Sequence, residues 1–396
     1  MTVRSVAVAG AGIGGLTAAL ALIRKGFDVT VFEQSNELRE VGAGVQLGPN
    51  AMRVYAALGL DELIGSFSCF PNSHVVRSGK TGAAIATTPM RGVYEAQYGI
   101  GFYAMLRADL QNALAAQLPP GVLQLGRKCT SFENGPDAVT LHFADGSTAQ
   151  CDVLAGADGI HSAIRECMLG KDAPRFTGTV AYRGVLDAAG VPADLLTNDI
   201  NVFIGPHASF VYYHVRRSEL LNWVCLAEET NWQQESWSAE ASFAEATRAY
   251  EGWCPVVDAL VSRTEHIYKW ALFDRDPLPR WVDGRVALLG DAAHPMMPYL
   301  AQGGCMAIED GLVLANALAN APDDPIRALR SYQSARLPRA SRVQLMSRKV
   351  ARVNQTPSLP ARVARNLRMV WHKLLHPAEH TYKIEWIYGF DVTHQG

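Results

Sequence analysis

Residues 6–33 constrain the fold more than any other stretch of the chain. The apolar run Val6-Ala7-Val8-Ala9 leads into Gly10-Ala11-Gly12-Ile13-Gly14-Gly15. An Ala/Leu-rich stretch follows, and Val29-Thr30-Val31-Phe32-Glu33 closes the segment. This order reads as strand, glycine turn, helix and second strand of a dinucleotide-binding unit. Gly10 permits the tight turn out of the first strand, Gly12 lets the backbone approach a pyrophosphate, and Gly15 lets the helix pack close to the sheet. The helix N-terminus then faces the phosphates, and Glu33 is placed to accept hydrogen bonds from ribose hydroxyls. Glycines at this spacing are weak evidence alone; the strand before them, the helix after them and the acid at the end give them weight.

The same segment contains a long uncharged stretch, residues 6–23, that could pass for a membrane anchor or a secretory signal. Its glycines and the lone Arg4 ahead of it argue against both. No other stretch approaches spanning length, so we expect a soluble, cytoplasmic chain with no membrane span. With 396 residues, 48% of them hydrophobic and 19% charged, there is material for two domains. The net charge of −2 gives no general attraction for nucleic acid. Seven cysteines form no CxxC pair and no metal-ligand spacing, which fits reduced, mostly buried thiols and no metal site.

Further along, residues 49–60 read as a helix started by Pro49 and stopped by Gly59, and residues 107–118 as an amphipathic helix. Segments near Gln124, 138–143 and 149–154 suggest a β-meander with a turn at Asp145-Gly146. From 177 to about 267 the texture changes to aromatic and β-branched strands, followed by a helix over about 239–253. A buried strand of the first type returns at 286–290 and runs into a helix over 303–318. The expected class is α/β (α+β overall): a Rossmann-like nucleotide domain interrupted by an inserted mixed β-sheet domain, then a C-terminal helical segment. The boundaries we assign are 1–72, 98–176 and 280–350 for the first domain, 73–97 and 177–279 for the second, and 351–396 for the last. The arginine-rich C-terminal helix reads as a solvated face packed on the body.

Two more constellations accompany the fingerprint. One is Gly156-Ala157-Asp158-Gly159, after a strand and before a helix that opens at Ser162. The other is Gly290-Asp291, at the end of a buried strand, followed by Ala292-Ala293-His294-Pro295. In this order and at these separations the three motifs resemble the single-component FAD-dependent aromatic hydroxylases of the para-hydroxybenzoate hydroxylase fold, over essentially the whole chain. Residues 42–50 and 211–218, and the ending at 386–391, are most similar to the salicylate and 3-hydroxybenzoate hydroxylase branch. The 6-hydroxynicotinate hydroxylases are near relatives that differ where Gln46 stands here in place of a histidine.

The resemblance implies that Gly10, Gly12, Gly14, Gly15 and Glu33 hold the ADP half of FAD. Arg107 would contact the flavin region, Asp158 would serve FAD and NAD(P)H, and Gly290 with Asp291 would meet the ribityl chain. Pro298, Gly303 and Gly304 would let the backbone pass close to the isoalloxazine ring. It also implies NADH or NADPH as a transient co-substrate, without a second Rossmann domain, and hydroxylation through a flavin C4a-hydroperoxide. The substrates would be O₂ and a small phenolic acid of salicylate or hydroxybenzoate type; alternatives are a hydroxypyridine carboxylate, possible loss of CO₂, and a flavin-binding protein without turnover. The state is left open between monomer and homodimer.

A base near the substrate hydroxyl would raise the rate. His207, Tyr213 and Tyr299 are candidates for catalysis, and Gln46, Tyr212, Tyr213 and Gln302 for substrate contact. Residues alternate faces along a strand, so Tyr212 and Tyr213 cannot both line one pocket; the resemblance favours Tyr213. His294 reads as structural. His74 and Arg77 either line the pocket or face solvent, and nothing in the sequence aims Arg183, Arg216 or Arg217 at a carboxylate.

Overall fold

The computed structural model describes residues 2–38, 43–229, 239–377 and 379–394. Gly42, part of the 42–50 segment singled out above, lies outside them.

Two large sheets organise the chain. In the first, Val286–Leu288, Val153–Gly156, Ser5–Ala9 and Asp28–Phe32 run parallel, with Leu123–Gln124 parallel at one edge and Val282–Asp283 antiparallel at the other. The strand Ser5–Ala9 is covered on both faces and is therefore apolar without alternation. Helix Ile13–Arg24 packs over it and crosses helix Gly303–Asn320 closely enough that a Cβ on Gly14 would sit 2.8 Å from that of Ala307. The 149–154 segment expected in a meander divides. Thr148–Cys151 pairs with Val139–Phe143 in a small antiparallel sheet, while Val153–Gly156 enters the parallel sheet.

The second sheet has eight strands in the order Ala239–Glu240, Tyr268–Asp274, Arg175–Asp187, Leu220–Glu228, Ala208–Val215, Ile200–Ile204, Ser73–Ser78 and Ala84–Pro89. It is antiparallel except where Ile200–Ile204 lies parallel to Ser73–Ser78. One face carries Phe203, Phe210, Tyr212, Trp223 and Cys225 and is covered by helices Phe243–Arg248 and Pro255–Val261. The other face, with Ile200, Tyr213 and Val215, packs on Ala104, Leu106, Leu300 and Met306. The single helix expected over 239–253 is replaced by an edge strand and the short helix Phe243–Arg248. Ala239 and Glu240 pair with Lys269 and Tyr268, and a Ser242/Glu245 capping box starts the helix only after them.

The C-terminal part forms Pro325–Asn354, which carries Pro338 inside it, and Leu359–Leu375. Beyond them residues 379–394 fold back across the body. Among the described residues no helix is long and apolar enough to cross a membrane.

Candidate active site

A cleft of about 480 Å³ opens at the C-terminal ends of the parallel strands. Gly10, Gly12, Glu33, Arg107, Asp158 and Asp291 all line it. Its glycines serve distinct ends. Gly10 has φ +108°, and a Cβ there would meet the Ala157 carbonyl oxygen at 2.4 Å. Gly12 caps helix Ile13–Arg24, and a Cβ there would meet nothing within 4 Å, so this backbone borders open cleft. Gly14 and Gly15 face inward instead. A Cβ on Gly15 would fall 2.1 Å from the Gly10 oxygen, so these two shape the turn and the helix crossing.

Glu33 folds across the turn, where its carboxylate accepts from the N–H groups of Ala11 and Ser35 at 2.8 and 2.9 Å. Asp158 accepts from Ile164 N–H through Oδ2, while its buried Oδ1 has no hydrogen-bond partner. Burial pushes this carboxyl above its ordinary value. A buried acceptor left without a donor at the cleft wall is a position that a ligand hydroxyl or amide can satisfy. Bare backbone at Gly12, Glu33 at the end of the second strand and the orphaned Asp158 oxygen together fit a dinucleotide such as FAD.

Residues 291–301 run from this cleft to a second, smaller cavity of about 90 Å³. Asp291 borders the first, and Pro298, Tyr299, Leu300 and Ala301 wall the second. Ala301 has φ +51°, a strained conformation for a residue with a Cβ. Next to it Gly303 and Gly304 open helix Gly303–Asn320. Cβ atoms there would come no nearer than 3.6 and 3.9 Å to any neighbour, so this backbone is also approachable. Gly290 has φ +59° and donates its N–H to Asp310.

The cavity's opposite wall is the inward face of the second sheet, with Ile200, Val202, Val211, Val224 and Leu226. Gln46, Ser209, Tyr299, Asn354, Tyr382 and the imidazoles of His74 and His380 add polar groups. Burial, and after it the positive charge of Lys373, hold His74 down at about 4, and burial, with His74 beside it, drives His380 well below the ordinary histidine value. Both rings are therefore neutral near pH 7, with centroids 4.8 Å apart. His380 Nδ1 accepts from the Tyr382 N–H at 3.2 Å, which leaves the ring's proton on Nε2. Burial raises the Tyr299 phenol, so it stays protonated. The Tyr382 phenol is pushed up to about 12 and bonds Asn354 at 3.0 Å.

Four expected residues stand elsewhere. His207 sits in an exposed turn with φ +61° and pairs with Glu228 at 2.6 Å, which removes it from the cavity and from the candidates for the base. Tyr212 points into the other core, stacked on Phe203 at 6.1 Å, because helices cover that face of its strand. Gln302 is buried and accepts from Asn50, so it anchors the start of its helix and lines neither cavity. Tyr213 does lie on the inward face, but its hydroxyl is packed against Gly44 and bonds Gln46, behind the cavity wall. None of the three arginines reaches the cavity. Arg183 lines the cleft and stacks over Trp270, Arg216 pairs with Asp109, and Arg217 donates to the Ser66 carbonyl.

The sequence reading missed Asn354, His380, Tyr382 and Tyr388, which come from the C-terminal part. It also missed a buried ion network. Glu309 and Asp310 take Arg336 between them, Arg339 and Asn50 bind Glu309, and His294 binds Asp310. Although burial opposes it, the contacts with His294 and the Arg336 guanidinium hold the Asp310 carboxyl at about 2. His294 is thereby engaged under the loop, and no part of it lines the cavity.

Comparison with known proteins agrees with this geometry. Residues 4–347 match the model of a family described as FAD binding domain. The chain is 39% identical over 391 residues to 3-amino-4-hydroxybenzoate 2-monooxygenase PtnB3 of Streptomyces platensis, covering 99% of this chain and 97% of that one. It is 37% identical over 348 residues to 6-hydroxynicotinate 3-monooxygenase of Bordetella bronchiseptica, covering 86% and 90%. Among solved structures, a salicylate hydroxylase substrate complex superposes with a TM-score of 0.81 at 30% identity, covering 99% and 97%. The cleft, the loop leading from it and these matches agree: the chain belongs to the FAD binding domain family of flavoprotein monooxygenases.

Proposed function

We propose that this FAD-dependent monooxygenase uses NAD(P)H and O₂ to hydroxylate a small phenolic acid of the hydroxybenzoate type in the cavity walled by residues 298–301. One observation carries the reading: a single loop joins a dinucleotide cleft to a smaller, largely apolar cavity with a few polar groups, the usual form of a small-molecule site. Relatives named for hydroxybenzoate and hydroxynicotinate substrates support it.

In this reading Gly10, Gly12, Glu33 and Asp158 hold the ADP end of FAD, with Arg107 and Asp291 further along. Pro298, Gly303 and Gly304 leave room for the ring. Bound FAD supplies the redox chemistry, taking hydride from NAD(P)H and activating O₂ for insertion of one oxygen atom into an electron-rich ring. The chain's own groups bind and orient the substrate and keep water away.

Among the described residues no Arg or Lys lines the cavity. The substrate carboxylate is therefore held by neutral donors, among them the Tyr299 hydroxyl and His380 Nε2–H. Nδ1 of His74, which is buried without a hydrogen-bond partner, accepts a hydrogen bond from the substrate hydroxyl and orients it. A pyridine acid such as 6-hydroxynicotinate is the second reading, favoured by the relative of that name.

The test is a panel of hydroxybenzoates, aminohydroxybenzoates and hydroxynicotinates incubated with the yellow, FAD-loaded protein and NADH or NADPH, with product mass as the readout. A gain of one oxygen from a benzoate is the expected result. Gain of oxygen with loss of CO₂ from the pyridine acid alone would favour the second reading, and peroxide without product from every acid would refute both. Gly12→Val should fold, since its side chain enters open space, yet lose FAD. Stoichiometric flavin in that variant would overturn the assignment of the cleft.

A further inference from the structure

Helix Leu359–Leu375 presents its apolar face to solvent. Leu359, Val363, Leu367, Trp371, Leu374 and Leu375 lie on one side of it, and each is between 49 and 69% exposed. A surface helix ordinarily turns such a stripe to the core; here the opposite side packs inward. Met369 is buried there, Arg365 donates to the carbonyls of Val353 and Asn354 at 3.0 and 2.8 Å, and Lys373 donates to those of Pro377 and Glu379. Among the described residues nothing covers the outer stripe.

We propose that this stripe is the interface with a second copy of the chain, the two helices meeting across a two-fold axis. Six side chains of this size at these exposures present on the order of 600 Å² of apolar surface, more than monomers commonly leave open. A standard interface covers about 800 Å² per partner, so the stripe with its immediate surroundings suffices. No charged side chain interrupts the stripe, and two identical faces therefore meet without like-charge repulsion. A bilayer is the poorer occupant, because a helix lying on a membrane keeps Lys and Arg free on its polar side for headgroups. Here Arg365 and Lys373 are committed to carbonyl oxygens of their own chain, which leaves Arg368 as the one exposed Arg or Lys of this helix.

The pairing bears on the active site. The helix joins Asn354 to the segment carrying His380 and Tyr382, all three of which line the cavity. Fixing the helix against a partner fixes that wall.

Sedimentation velocity of the full-length, FAD-loaded protein from low to high micromolar concentration is the test. The wild type is expected at twice the chain mass. Leu367→Glu combined with Trp371→Glu is expected at the chain mass with unchanged flavin absorbance. The milder pair Leu374→Ser and Leu375→Ser, which adds no charge, is expected to weaken the dimer at least tenfold and serves if the first variant misfolds. Phe243→Glu, at an exposed aromatic on another helix, should leave the dimer intact. A wild type at the chain mass throughout, or folded stripe variants that dimerise as well as wild type, would overturn the proposal. So would flotation of chain-mass protein with phosphatidylglycerol vesicles, which would assign the stripe to a bilayer.

Discussion

His74 is the residue whose burial has the most measurable consequence. Its folded pKa of about 4 lies below the ordinary 6.5 of histidine. Between those values the unfolded chain binds a proton that the folded chain does not. The contribution of a neutral His74 is therefore full above pH 6.5 and is lost as pH falls toward 4. By pH 5 the loss amounts to about 2 kcal/mol. Urea unfolding of wild type and His74→Asn at neutral pH and near pH 5 measures it. The variant, which cannot titrate at this position, should lose less stability on acidification; an equal loss in both proteins would show that His74 is not what couples stability to pH. His380 titrates in the same direction, so part of the wild-type dependence should survive the substitution. At this scale the sequence was informative where chemistry is local. Gly10 needs a positive φ and Gly12 needs open space, and both needs are written into a six-residue motif. His74 was singled out without a side being assigned, because its place depends on the parallel pairing of Ser73–Ser78 with Ile200–Ile204, far away in the chain.

Between elements, the Glu309, Asp310, Arg336 and Arg339 network joins helix Gly303–Asn320 to helix Pro325–Asn354 directly behind the loop that walls the cavity. Arg336 is fully buried and also donates to the Met306 carbonyl. Replacing it with Met leaves two buried carboxylates short of their shared cation, which costs about 3–5 kcal/mol. Denaturant unfolding of Arg336→Met reads that cost directly; a loss under about 1 kcal/mol would mean that Arg339 and His294 compensate. Nothing in the sequence marked these charges as buried, since Arg-rich amphipathic helices usually turn them to solvent. The arginine-rich C-terminal part, about 326–376, was expected as a solvated helix face packed on the body; within it Leu359–Leu375 exposes an apolar side. Alternation did show that Tyr212 and Tyr213 point to opposite sides. Which side faces the cavity is decided by helices Phe243–Arg248 and Pro255–Val261, whose packing no local pattern encodes.

For the molecule as a whole, the path of the chain matters more than the number of domains. The first sheet takes strands from 5–32, 123–156 and 282–288, and the second from 73–89 and 175–274. Neither sheet is completed by one continuous segment, so neither can form its core while the other is undone. The α/β class and the interrupted nucleotide unit were legible because each returning strand carries its own apolar run. The wall that His380, Tyr382, Ile384 and Tyr388 add to the cavity was not, because that tail has no periodicity and acts only through long-range packing. Multidomain proteins often unfold in steps, but this threading favours one. Trp223 lies at the centre of the second core and Trp281 in the first, both fully buried, so tryptophan fluorescence samples the two together. Heating the FAD-loaded protein should therefore give one transition, with fluorescence, far-ultraviolet circular dichroism and flavin release superimposed. Flavin release well below the loss of circular dichroism would show the cleft opening on its own. A biphasic fluorescence curve would show that the second sheet holds together without the first, and the argument from chain path would fail.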